Sequence, residues 1–253
     1  VTERSFAELV AEATGAPVTG WGFSWLDGRA TEERPPWGYA RLMATRMAQV
    51  SAALDVDTGG GEVLAGVPTP PPLLVATEGW PPNAALARRT LRRLGATVVR
   101  VGRAPVLPFR DGTFELVTSR HPIDTWWDEI ARVLRPGGTY LSQQIGPGTM
   151  RELSEAILGP LPPATGRHPA HAVAAAEAAG LTVVRLEEAT LRAVFHDVGA
   201  VVWFLRKVVW TVPDFDVERY RPQLATLHER IRAEGPFVAH ARRFLIEARN
   251  PAP

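Results

Sequence analysis

The sequence predicts an α/β fold, a mostly parallel sheet flanked by helices. Two observations carry that expectation. Residues 50–66, VSAALDVDTGGGEVLAG, pass from a short apolar run into Asp55, then into Gly59, Gly60 and Gly61, then into a stretch that begins like a helix at Glu62. A strand, a glycine turn and a helix in that order are how a parallel sheet builds a nucleotide pocket at the carboxyl ends of its strands. Downstream, short apolar runs of strand type alternate with longer helical patterns, which is the signature of successive crossover units.

Composition bounds what the chain can do. The 253 residues are 45% hydrophobic and 22% charged, with a formal net charge of +1. That length suits one α/β domain with an appendage, and so small a net charge draws in no polyanion. There is no cysteine, which excludes disulfides, thiolate-bound zinc, iron–sulfur clusters and any cysteine nucleophile. No signal-peptide core is present in the opening VTERSFAELVAEATG and no apolar run is long enough for a membrane span, so the expectation is a soluble, cytoplasmic protein with no membrane partner.

Taken in order, residues 2–14 read as an amphipathic helix, with Phe6, Leu9, Val10 and Ala13 on one stripe. A loop with Trp21, Phe23, Trp25, Pro35, Pro36 and Trp37 follows, suited either to a lid over a ligand or to packing of an N-terminal extension. Tyr39 to Val50 reads as a helix that delivers the chain to the first strand of the core. After the glycine turn, four prolines between Pro68 and Pro72 leave no room for a full helix, so the first crossover is expected to be abbreviated. Leu73 to Thr77 is a strand ending at Glu78. An acid there can accept bonds from both hydroxyls of a ribose, and Glu78 lies 23 residues beyond Asp55, near the spacing of about 20 that this role takes. Asn83 to Leu94 reads as a helix capped by Asn83, bearing Arg88, Arg89, Arg92 and Arg93, which form either a solvated face or a nucleic-acid patch. Thr97 to Val101 and the segment from Phe114 are strands, Trp126 to Leu134 is a helix, and Pro136, Gly137 and Gly138 turn the chain into a strand from Thr139 to Ile145. His171 to Ala179 reads as a helix and Leu181 to Leu186 as a strand. Helices over 198–210 and 217–233 precede a closing strand from Arg243 to Arg249.

Four segments, in order, resemble the class I S-adenosylmethionine (SAM) dependent methyltransferases of the methyltransferase type 11 kind: Asp55-Val56-Asp57-Thr58-Gly59-Gly60-Gly61, the acid Glu78, LPFRDGTFELV at 107–117, and RVLRPGG at 132–138. Asp57 stands where that family usually has its first glycine, and Arg103 where an acid often binds the adenine. The resemblance implies a Rossmann-like, seven-stranded, mostly parallel sheet with an antiparallel last strand. The chain then divides into an N-terminal helical extension or lid (1–49), a SAM-binding core (50–189), a helical insertion (190–238) that suits a cap over the acceptor, cover for the sheet or a dimer contact, and a final strand (239–253). The resemblance places Asp55, Gly59 and Gly61 around the amino-acid part of the cofactor and Glu78 on the ribose. Gly79, Trp80, Ala104 and Leu107 fall beside the adenine, and Thr118 and Ser119 where cofactor meets acceptor. S-adenosylhomocysteine is the implied product.

The end of the fourth core strand bears on the acceptor. Nucleic-acid amino methyltransferases of this superfamily typically carry N/D-P-P-Y/F there, whereas this chain has Ser119-Arg120-His121-Pro122. The pattern therefore favours a small-molecule O or N acceptor. His121, the candidate catalytic residue, suits either a general base, with an ordinary pKa near 6.5, or a group that positions the acceptor. Arg120 is the lesser candidate, as a partner for an acidic acceptor. An RNA base methyltransferase and a SAM-binding protein without activity stay open as alternatives. No residue pattern calls for a metal.

Overall fold

The computed structural model describes residues 4–18, 22–102 and 106–252. In chain order the elements begin with α1 (Phe6–Gly15), β1 (Ala30–Glu32), α2 (Tyr39–Met47), β2 (Ala52–Val56), β3 (Leu73–Glu78) and α3 (Pro81–Thr90). They continue with β4 (Thr97–Arg100), β5 (Phe114–Arg120), α4 (Trp127–Val133), β6 (Leu134–Ile145) and α5 (Arg151–Leu158). The last five are α6 (Pro169–Ala178), β7 (Thr182–Phe195), α7 (Val198–Lys207), α8 (Arg221–Glu234) and β8 (Phe237–Arg249). Contacts divide the chain into a unit of residues 35–146, 166–189 and 243–253 and a unit of residues 1–34, 147–165 and 190–242.

The first unit is the core. Its strands lie in the order β4-β3-β2-β5-β6-β8-β7. β2 pairs in parallel with both β3 and β5, β3 with β4, and β5 with β6, while β8 runs antiparallel to β6. This is the expected Rossmann-like seven-stranded sheet with an antiparallel last strand. Alternate residues of β2 serve two apolar layers, as a two-residue period requires. Ala53 packs with Met43, Met47, Leu116 and Leu245, and Leu54 and Val56 pack with Leu107, Val117, Ile130 and Tyr140. α2 supplies the first layer because Tyr39, Met43 and Met47 recur every four residues on one stripe, all buried.

Several boundaries differ from the sequence reading. β6 begins at Leu134 rather than Thr139, with a register irregularity opposite β5 between Phe114 and Leu116. The Pro136–Gly138 segment is thus accommodated within the strand, with Gly137 at φ 76°. A Cβ on Gly138 would lie 2.8 Å from the Arg135 carbonyl oxygen, so a side chain there would close the bulge. α3 begins at Pro81, not Asn83: its cap is Trp80, the two prolines fill its first turn, and Asn83 is buried inside the helix. The first crossover is abbreviated to a single 3-10 turn over Leu64–Gly66.

The second unit holds α1, α5, α7 and α8. α1 starts at a capping box in which the Ser5 side chain accepts the Glu8 N–H and the Glu8 carboxylate accepts the Ser5 N–H. α7 starts at Asp197, whose carboxylate accepts the Ala200 N–H at 2.8 Å. β1 pairs antiparallel with residues 193–195 of β7. It brings the strand count to eight, one more than the sequence predicted. α5 is a further element that the sequence reading lacked.

Candidate functional site

The glycine turn leaves β2 at Val56, and the next residue, Asp57, sits at φ 56°. Glycine is the usual tenant of that left-handed region, and aspartate is among the few residues that tolerate it. The departure from the family pattern at Asp57 thus preserves the backbone conformation that glycine would take. Gly59 and Gly61 are also left-handed, at φ 65° and 82°. A Cβ on Gly61 would meet Leu91 Cγ at 2.8 Å, so the turn packs closely against its neighbour.

Glu78, the last residue of β3, binds this turn. Its Oε2 accepts the Gly59 N–H at 2.9 Å and its Oε1 accepts the Trp80 N–H at 2.8 Å. Burial raises the Glu78 pKa, and the backbone N–H groups of Trp80, Gly59 and Gly79, with the Asn83 side chain, oppose that rise. Asp55 is buried beside it in sequence register with Ala76 and Thr118, and its Oδ1 accepts the Thr118 hydroxyl at 2.6 Å. Burial pushes its pKa up to about 6 against that hydrogen bond. Asp57 is likewise pushed up to about 6, by burial first and then by the charges of Glu78, Asp55 and Asp124. Asp57 thus feels the repulsion of the carboxylates around it, and a turn with three acids suits a cationic ligand.

Two buried hydroxyls near the end of β3 lack partners, and that of Thr77 projects from the strand face opposite to Glu78. The buried oxygens Thr58 Oγ1 and Thr77 Oγ1 make no hydrogen bond. Thr58 comes close enough to Asp55 to favour its charge, without hydrogen-bonding geometry. The Thr58 N–H donates to the Thr77 carbonyl at 3.0 Å, so both lie where β3 meets the glycine turn.

The remaining expected cofactor residues separate. Trp80 is 55% exposed directly after Glu78, with Gly79 between them. Leu107 is 1% exposed; it packs in the apolar layer with Phe114 and Val117, and its N–H donates to Glu129 at 2.6 Å. Ala104, with Arg103, lies outside the described residues, as does Trp21. Thr118 and Ser119, adjacent on β5, point to opposite faces. Thr118 holds Asp55, whereas the Ser119 hydroxyl bonds Tyr140 Oη at 2.7 Å and Ser142 Oγ at 2.8 Å.

His121 follows the end of β5 at φ 56°, and its N–H donates to the Gln143 carbonyl at 2.7 Å. Sequence reasoning missed its main partners. Trp37 Nε1 donates to Gln143 Oε1 at 2.8 Å, and Gln143 Nε2 lies 2.8 Å from His121 Nε2. An indole N–H can only donate. Gln143 must therefore present its oxygen to Trp37 and its NH2 to His121, so His121 Nε2 accepts and the ring proton sits on Nδ1. Burial, then the charges of Arg120, Arg243 and Arg167, hold the His121 pKa well below the usual range. The ring is neutral at neutral pH, and its Nε2 lone pair is engaged. The signal that could have been found is register: Arg120 stands opposite Gln143 in the β5–β6 pairing.

Other features lie apart from this site. A cavity of about 350 Å³ opens at the other end of the core strands, among Arg46, Glu115, Arg135, Glu247 and Arg249. It holds structural ion pairs, Arg46 with Glu247 at 2.8 Å and Arg135 with Glu115 at 2.9 Å. Arg88, Arg89, Arg92 and Arg93 are exposed, and Arg93 donates to the Ala65 carbonyl. Among the described residues, no group of three or more His, Asp or Glu could hold a metal ion, and no helix is long and apolar enough to cross a membrane.

Comparison with known proteins agrees with this architecture. Residues 54–142 match the family model described as a methyltransferase domain. That segment runs from within β2 to within β6, across the glycine turn, Glu78 and His121. No curated protein matches the chain. Among solved structures, a protein assigned as a methyltransferase from Bacillus halodurans C-125 is 19% identical, covering 83% of this chain and 98% of its own at a TM-score of 0.58. The [4+2]-cyclase SpnF is 17% identical, covering 98% of this chain and 93% of its own at a TM-score of 0.52. Geranyl diphosphate methyltransferase, in complex with GPP and sinefungin, is 14% identical, covering 83% of this chain and 77% of its own at a TM-score of 0.51. The core shares the Rossmann-like fold of these solved structures, and residues 54–142 match the model of a methyltransferase domain.

Proposed function

We propose that the chain is a SAM-dependent methyltransferase that methylates an O or N atom of a small molecule. The observation that carries this reading is the convergence of Asp55, Asp57 and Glu78 on a left-handed glycine turn. A ligand that brings positive charge and ribose hydroxyls answers this acidic turn. A relative in fold was solved with sinefungin, an analogue of SAM, which supports the same cofactor here.

In this reading Glu78 receives the ribose hydroxyls, Asp55 and the backbone of Gly59 and Gly61 border the amino-acid part, and Thr118 keeps Asp55 in place. Trp80 offers its exposed ring as one wall for the adenine, beside Gly79. When bound, SAM supplies a methyl group activated on sulfur, for in-line displacement by an acceptor lone pair that leaves S-adenosylhomocysteine. The protein's own part is alignment, which contributes up to about 7–11 kcal/mol. His121, with Nε2 engaged by Gln143, serves as a donor through Nδ1–H that orients the acceptor, not as its base.

The test is incubation with methyl-labelled SAM and a panel of hydroxyl- and amine-bearing small molecules. Labelled product and S-adenosylhomocysteine are expected from the wild type and not from Glu78→Ala. Label passing only to RNA, or no turnover with any acceptor, contradicts the reading.

A further inference from the structure

Positive charge gathers on one face of the core sheet at the carboxyl ends of β5 and β6, where the antiparallel β8 brings Arg243 alongside. Arg120 stands opposite Gln143, Gln143 opposite Leu245, and Ile145 opposite Arg243. Residues in register across a sheet share a face, and two-residue steps along a strand keep it. Arg120, Gln143 and Arg243 therefore project from the same face. With strands about 4.8 Å apart and about 3.3 Å per residue, the Cα atoms of Arg120 and Arg243 are about 12 Å apart, a separation two extended arginines span from either side of one small ion.

Two further features turn this placement into a site. Arg167 occupies the turn just before α6, at φ 58°, and its charge reaches the His121 ring together with those of Arg120 and Arg243. Arg120 and Arg167 make no ion pair among the described residues, so their charges are not neutralised locally. At the centre of this group is His121, locked by the Trp37–Gln143 chain with its Nδ1–H outward from the bonded Nε2. A neutral histidine fixed as a donor amid guanidinium groups matches an oxyanion, which takes bidentate bonds from arginine and a single bond from an N–H. Tyr39, whose pKa burial raises most, feels both signs of charge: Asp55 raises it further and Arg120 lowers it. This edge of the sheet is thus bipolar, acidic at the ends of β2 and β3 and basic at Arg120 of β5 and Arg243 of β8.

We propose that Arg120, Arg167 and Arg243, with the Nδ1–H of His121, form an oxyanion subsite, and that the methyl acceptor is a small molecule bearing a carboxylate or phosphate. This rests on the methyltransferase reading above. The anion is a handle for orientation and is not itself required to be the methylated group.

The test titrates sodium benzoate and inorganic phosphate, each at ionic strength held constant with potassium chloride, into the protein saturated with S-adenosylhomocysteine, following intrinsic tryptophan fluorescence and calorimetry. Benzamide is the neutral control. Saturable binding of at least one anion is expected, with benzoate alone marking a carboxylate acceptor, phosphate alone a phosphorylated one, and both a shared subsite. Arg120→Gln is expected to weaken it at least tenfold and Arg120→Lys less, with the S-adenosylhomocysteine affinity unchanged in both. The proposal is overturned if S-adenosylhomocysteine binds but neither anion does, if benzamide binds as well as benzoate, or if Arg120→Gln binds the anion like the wild type. Failure to bind S-adenosylhomocysteine is instead a failure of the methyltransferase reading, and the anion titrations on the free protein then decide the subsite on their own.

Discussion

The carboxylate of Glu78 accepts the backbone N–H of Gly59 at 2.9 Å, tying the end of β3 to the glycine turn that leaves β2. The same carboxylate accepts the Trp80 N–H at the start of α3. One side chain thus holds both loops of the candidate cofactor site before any ligand arrives.

Replacing Glu78 with alanine releases those two donors. Each charge-assisted bond contributes about 1.5–3 kcal/mol where it is shielded from water, and Glu78 is only partly shielded. A stability loss on the order of 1–2 kcal/mol is expected in urea unfolding. Amide exchange should locate the damage: the Gly59 and Trp80 amides exchange faster in the variant, and those of β5 do not. Unchanged exchange at Gly59 would mean the tie is not a real constraint.

Asp57 predicts a pH effect of definite sign. Its pKa in the folded protein, about 6 against an ordinary 3.8, means that the native state holds a proton the unfolded chain has released. Stability therefore falls as pH rises from about 4 to about 6, and the full penalty is present above that. Asp57→Asn keeps a residue that tolerates φ 56° and removes the charge. It is expected to stabilise the protein by on the order of 1–2 kcal/mol at pH 8 and by little at pH 4, read by urea denaturation at both. Equal effects at the two pH values would count against the carboxylate repulsion.

Much of this site was legible before the fold was known. Asp55, the glycine turn and Glu78 could be read because strand ends and glycines carry local signals, and the prolines after Val67 announced the missing crossover helix. Ser119 could have been read better, since alternation on a strand forbids Thr118 and Ser119 from facing the same way. β1 was illegible because three residues, Ala30–Glu32, have no period. α5 begins at Met150 in a left-handed conformation, with no side-chain cap, so nothing in its sequence marks a start. The Trp37–Gln143–His121 chain spans 106 residues between its first two members, and no local pattern encodes such a contact.

Ser119 now has a structural assignment that can be measured. Its hydroxyl joins those of Tyr140 and Ser142 in a buried cluster. Ser119→Ala leaves Tyr140 short of one partner, and a loss of about 1–2 kcal/mol is expected. A neutral result would show that the cluster repairs itself.

Trp37→Phe removes the indole N–H that orients Gln143 while keeping an aromatic ring. Nitrogen-15 NMR of the His121 ring is expected to show the Nδ1–H tautomer in the wild type and a mixture in the variant. An Nε2–H tautomer in the wild type would reverse the donor assignment made for His121.

The central claim is that the glycine turn and its three acids hold SAM. Calorimetric titration of SAM and of S-adenosylhomocysteine into the wild type and Glu78→Ala tests it most directly. Saturable one-to-one binding of both to the wild type, weakened at least tenfold in a folded Glu78→Ala, is the predicted result. Absence of binding to the wild type, or equal affinity in the variant, would contradict the account.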